Sequence, residues 1–80
     1  MFHYVYILQS ESDPSKFYVG ATEDLKLRLL KHNGGEVTHT SKFMPWRIKA
    51  YFAFGDRAKA FAFEIYLKSG SGRAFAKKHF

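Results

Sequence analysis

The side chains of this 80-residue chain that could do chemistry are few and scattered. Tyr4-Val5-Tyr6 and Tyr18-Val19-Gly20 lie in the first quarter, Arg28 and His32 stand four residues apart, and Glu64 lies well downstream. A guanidinium carries a permanent charge and a planar donor fork that matches phosphate or carboxylate oxygens. A lone carboxylate can hold a hard cation together with waters and substrate oxygens. Phenols and imidazoles move protons when they are held in reach of a reacting group. Each also has a plainer reading: strand tyrosines fill cores, Arg28 and His32 flank an apolar helix face, and Glu64 pairs with Lys68 for roughly a few tenths of a kcal/mol. Other chemistries lack their residues. There is no cysteine, no phosphate-binding glycine loop and no nucleophile elbow, and His3, His32, His39 and His79 lack metal-ligand spacing. The adjacent acids Glu23 and Asp24 read as charge at the start of a helix.

The elements that must position these residues follow from hydropathy patterning. Residues 2–9 alternate with bulk on both faces, Phe2, Tyr4, Tyr6 and Leu8 against His3, Val5, Ile7 and Gln9, as in a central strand covered on both sides. A polar stretch with Asp13-Pro14 turns the chain into a second, antiparallel strand over 17–21. Thr22 is the expected N-cap of a first helix whose apolar face carries Leu25, Leu29 and His32, broadened by Leu27 and Leu30. Asn33-Gly34-Gly35 stops it. After a polar, basic loop, residues 46–54 form a third strand, with Trp46, Ile48, Ala50, Phe52 and Phe54 sharing one face. Asp56 caps a second helix to about Lys68, with Ala58, Phe61, Ala62 and Ile65 as its expected buried stripe. Ser69-Gly70-Ser71-Gly72 breaks it, and a last short helix spans 73–79. The order β-β-α-β-α-(α) predicts an α+β fold, a three-stranded, mainly antiparallel sheet flanked by helices, in a single domain over 1–80.

Composition supports a packed domain with a polyanionic partner. Hydrophobic residues make up 46% of the chain and aromatics 19%, enough large side chains to build a core at this length. Lys and Arg outnumber Asp and Glu by 13 to 7. That excess predicts nucleic acid as partner, contacted through Lys26, Lys31, Lys42, Arg47, Lys49, Arg73, Lys77 and Lys78. No helix pattern resembles a groove reader, so contacts to backbone and shape are expected, with binding that weakens steeply in salt. No 18-residue apolar run and no secretory leader are visible, so no membrane partner and a cytoplasmic, bacterial-type location are expected.

Taken in order, the two tyrosine signatures, the helical Arg28 and the downstream Glu64 resemble the GIY-YIG nuclease family. The resemblance spans nearly the whole chain. Thr40-Ser41-Lys42 with Pro45-Trp46, and Gly70-Ser71-Gly72-Arg73, are similar to the small stand-alone bacterial members. It implies a GIY-YIG-like fold and metal-dependent hydrolysis of phosphodiester bonds in DNA, endonuclease in type, structure-selective and linked to repair or recombination. DNA is implied over RNA. Tyr4 and Gly20 then occupy structural positions of the signatures, Tyr6, Tyr18 and Arg28 are catalytic, His32 relays a proton or touches phosphate, and Glu64 holds one Mg²⁺ or Mn²⁺. Which tyrosine acts as base stays open. The chain departs from the pattern in three places: Tyr4 stands at the first glycine of the first signature, Ala21 follows the second where some members carry lysine, and no asparagine follows Glu64. Family members in excision repair and homing carry extra domains that choose the target; the expectation here is recognition of nucleic-acid structure, a targeting protein partner, or cleavage with little selectivity. The alternative is a binding module of the same fold with weak or lost catalysis.

Overall fold

A computed structural model describes all 80 residues. Strands β1 (His3–Ser10), β2 (Phe17–Thr22) and β3 (Trp46–Phe54) form one antiparallel sheet in the order β2-β1-β3. Helices α1 (Leu25–Asn33), α2 (Arg57–Lys68) and α3 (Gly70–His79), with a short 3₁₀ turn at Ser41–Phe43, complete the α+β fold. The central strand is the one whose two faces both carry bulk. Val5 and Ile7 pack against Ala60 and Leu67 of α2. Tyr6 and Leu8 pack with Trp46, and Leu25 and Leu29 of α1 lie against them. The sheet therefore separates two small cores, with α1 over one and α2 over the other.

One strand serves both cores. The single-face expectation for β3 is corrected by a bulge. Leu8 pairs with Ile48 but Ile7 with Ala50, so Lys49 is the extra residue. One added residue inverts which side chains point to which face. Trp46 and Ile48 thus join the Tyr6 core, while Ala50, Phe52 and Phe54 join the Val5 core.

Three helix details also differ from expectation. Thr22 ends β2, and the N-cap of α1 is Asp24, whose carboxylate accepts from the Leu27 amide at 3.0 Å. Leu27 and Leu30 face solvent instead of extending the core. On α2 the expected stripe is the wrong face. Phe61 and Ile65 are 61% and 55% exposed, Ala58 and Ala62 are exposed too, and Ala60 and Leu67 are the buried residues, with Phe63 beside them. This helix is apolar on most sides, so periodicity alone cannot choose a face. The small side chain of Ala60 lets the backbone approach the sheet. Finally, α3 begins at Gly70, not after the glycines. Ser69 ends α2 and caps α3 at once, its hydroxyl accepting from the Gly72 amide at 3.1 Å. Gly72 is required because a Cβ there would overlap the Tyr66 carbonyl. No helix is long and apolar enough to cross a membrane.

Candidate active site

Tyr6 is the hub, and Gly20 makes its position available. The two residues face each other across β1 and β2, and a Cβ at position 20 would collide with the Tyr6 hydroxyl. The phenol lies over the glycine with only 1% of the residue exposed. Its hydroxyl is 2.9 Å from His32 Nε2 and accepts from Arg28 Nε at 3.4 Å. On α1, Arg28 and His32 are one turn apart and so share the face turned to the sheet. Tyr18 closes the group, its ring 5.0 Å from the imidazole and 6.4 Å from the Tyr6 ring.

The hydrogen bonds fix the histidine tautomer. His32 Nδ1 lies 2.8 Å from Thr40 Oγ1, and that hydroxyl donates to the Val37 carbonyl at 3.2 Å. A hydroxyl has one proton to give, so Thr40 accepts from Nδ1–H. Nε2 is left as an acceptor, and the Tyr6 hydroxyl donates to it. Thr40 is buried and held in turn by Trp46, whose indole N–H donates to its carbonyl at 2.8 Å. Asn33 completes the bracket, its side-chain amide donating to the Trp46 carbonyl at 3.0 Å and its oxygen accepting the Trp46 amide. No buried polar side-chain atom in the molecule lacks a partner.

Electrostatics follow burial and the guanidinium. Burial pushes the Tyr6 phenol above its ordinary value, and Arg28 beside it opposes that rise. Burial, then the Arg28 charge, hold His32 below the usual imidazole range, so it is neutral near pH 7. Arg28 is held even more firmly charged, chiefly by its bond to Tyr6 and further by Tyr18. Half-buried, it has no carboxylate partner: the carboxylates that contact basic side chains are Glu64, beside Lys68, and Glu23, beside the His3 ring. Its Nε is spent on Tyr6, which leaves the terminal amino groups to meet an incoming anion.

Glu64 stands apart from this group. It lies on α2, with its side chain 15% exposed and its carboxylate 3.0 Å from Lys68 Nζ. Its link to the cluster is electrical: its charge adds to the upward push on Tyr6. No three acidic or histidine side chains gather around a point. An oxygen donor without thiolate or imidazole company suits a hard cation such as Mg²⁺, which keeps waters and substrate oxygens as its other ligands. Tyr4 is on the Tyr6 face of β1 but packs edge-on to Tyr51 at 6.1 Å, outside the cluster.

The expected cations fall into separate groups. Lys49, Arg73 and Lys77 line one cavity beside β2 and α3. Lys26 and Lys31 are on α1, Lys42 on the 3₁₀ turn and Lys78 on α3, while Arg47 is engaged by the Gln9 side chain at 2.7 Å. Sequence reasoning missed three residues. Thr40 carried no catalytic signal beyond its place in a family-like segment. Lys16 and Lys68 line the same cavity as Lys49, and only the fold brings them there.

Comparison with known proteins shows the family and the fold. Residues 2–78 match the model of the GIY-YIG catalytic domain. The structure-specific endonuclease subunit SLX1 of Scheffersomyces stipitis is 41% identical over 70 residues, but the match covers 79% of this chain and only 21% of that protein. This chain thus spans about a fifth of that relative's length. The UPF0213 protein BH0048 of Halalkalibacterium halodurans is 35% identical over 74 residues, covering 91% of this chain and 77% of the relative. Its solution NMR structure superposes with a TM-score of 0.58 over 96% of this chain and 81% of that one, at 33% identity. With a match to the catalytic-domain model that runs almost end to end, and a relative 35% identical over most of both chains, this chain belongs to the GIY-YIG nuclease family.

Proposed function

We propose that this domain hydrolyses phosphodiester bonds in DNA as a metal-dependent endonuclease. The observation that carries the reading is Arg28: a half-buried guanidinium without an acid partner, tethered through Nε to a buried phenol and flanked by a second. Such a group is an anion site, and its free fork matches two oxygens of a phosphate. Tyr18, the less buried phenol of the pair, orients the attacking water. Neutral His32 is the base within reach of the phenols, already accepting from the Tyr6 hydroxyl. Glu64 would hold one Mg²⁺ or Mn²⁺; when bound, the ion neutralises charge on the phosphoryl oxygens and on the leaving oxygen. A structure-selective role in repair or recombination, aided by a targeting protein, fits the likeness to the SLX1 subunit.

The test is cleavage of branched, nicked and single-stranded DNA with Mg²⁺ or Mn²⁺. Arg28→Ala, Tyr18→Phe and Glu64→Gln should each lower the rate by about 100-fold or more, the scale for losing one charge-stabilising group, while leaving the thermal midpoint near wild type. One observation favours the rival reading, a binding module without catalysis: the Glu64 carboxylate is already engaged by Lys68. Wild-type protein that binds every substrate and cuts none establishes that reading instead.

A further inference from the structure

The cavity beside β2 and α3 has a chemistry that the ring cluster does not explain. It is a half-open groove of about 930 Å³. Its rim carries Lys16, Lys49, Lys68, Arg73 and Lys77, and no acidic side chain lines it. Lys68 is committed to Glu64, which leaves four cations without an acid partner. Its floor is apolar, formed by Ile7, Val19, Leu67 and Ala76. Phe17 stands in the wall, 51% exposed, with the Lys49 ammonium 5.8 Å from its ring centroid. Tyr18, on the edge strand β2, lines this cavity and also belongs to the ring cluster around His32.

We propose that this groove holds a single-stranded stretch of nucleic acid. Cations along the rim meet the phosphates, and an unstacked base lies against the Phe17 ring and the apolar floor. Aromatic faces set in a positive groove are the means by which proteins hold single strands without reading sequence. A duplex fits less well, because its bases are turned inward and only phosphates and groove edges are on offer. An acidic peptide would meet the rim but gives Phe17 and the floor nothing to cover them. The inference extends the hydrolysis reading by saying which part of a substrate enters from this side, yet binding here does not require cleavage.

The experiment is fluorescence anisotropy with the full chain and no divalent ion. The probes are labelled oligo(dT) and oligo(U) of about ten nucleotides, a duplex of equal length and polyglutamate. Phe17→Ala and Phe17→Leu should each weaken single-strand binding about tenfold without changing its salt dependence. The Leu variant keeps apolar bulk, so it separates loss of the ring from damage to the fold. The Lys49→Ala/Arg73→Ala double variant should lower the slope of log K against log salt by about 1.4, two phosphate contacts on a single strand. Lys59→Ala, an exposed cation on α2 away from the groove, should change it much less. The proposal is overturned if Phe17→Leu binds oligo(dT) as wild type does, or if duplex or polyglutamate binds as tightly as the single strand. Failure of the nuclease reading looks different: no cutting of any DNA, with the groove variants still losing single-strand affinity.

Discussion

Two hydroxyls hold a histidine that has no exposed surface, and both bonds can be tested. Thr40→Val removes the acceptor of His32 Nδ1–H and leaves a buried donor unpaired. The expected cost is about 1–3 kcal/mol in urea unfolding. Thr40→Ser should restore most of it. Imidazole ¹⁵N shifts should show the Nδ1–H form in wild type and a mixture in the Val variant; identical shifts in both would remove Thr40 from the role of positioning residue. The pH dependence has a definite sign. His32 is held below its unfolded value of about 6.5. Above that pH neither state binds the proton at this site, and the native network is intact. As pH falls below about 6.5 the unfolded chain takes up the proton first, so stability declines until the lower folded value is passed. Wild type should therefore lose stability between pH 7.5 and pH 5, and His32→Gln should show a flatter profile over the same range. Of this cluster, Tyr6, Tyr18, Arg28 and His32 were singled out in the sequence by the resemblance to the GIY-YIG family; residue type and spacing alone read as core tyrosines and the flank of a helix. Thr40 was not, since its role depends on a loop folding back over α1, and no local pattern encodes that return.

At the level of elements, the central strand was readable because both of its faces are bulky, which only burial on two sides explains. The bulge at Lys49 was not. A strand with unbroken alternation gives no sign that one residue will be left over, and the shift appears only when β3 is paired with β1. The face of α2 failed for a related reason: Phe61 and Ile65 satisfy helical periodicity as well as Ala60, Phe63 and Leu67 do. Paired substitutions separate the two. Leu67→Ala should cost about 2–5 kcal/mol, as expected when a fully buried leucine leaves a cavity. Ile65→Ala, on the exposed side, should change stability by about 0.5 kcal/mol or less. Equal losses in chemical denaturation would mean that the stripe read from periodicity is buried after all.

On the scale of the whole molecule, the sheet separates two cores: α1, with Arg28 and His32, packs on one face and α2 on the other, while the Glu64 charge on α2 still acts on Tyr6. Each core closes through its own side chains, with every buried polar side-chain atom partnered inside the protein. A metal ion held by one carboxylate therefore has nothing structural to complete. Chelation separates function from fold on this basis. Removing divalent ions with EDTA should abolish cleavage while far-UV circular dichroism stays unchanged. At an ion concentration equal to its dissociation constant, binding adds only about 0.4 kcal/mol to stability. In a domain of this size that moves Tm by about 3 °C or less. A cooperative transition that vanished in EDTA would show an ion organising the fold, and Glu64 paired with Lys68 could not then be its main anchor. With the transition intact and cleavage restored by Mg²⁺, the ion belongs to the chemistry alone, and the pairing of Glu64 with Lys68 becomes the contact that its arrival must break.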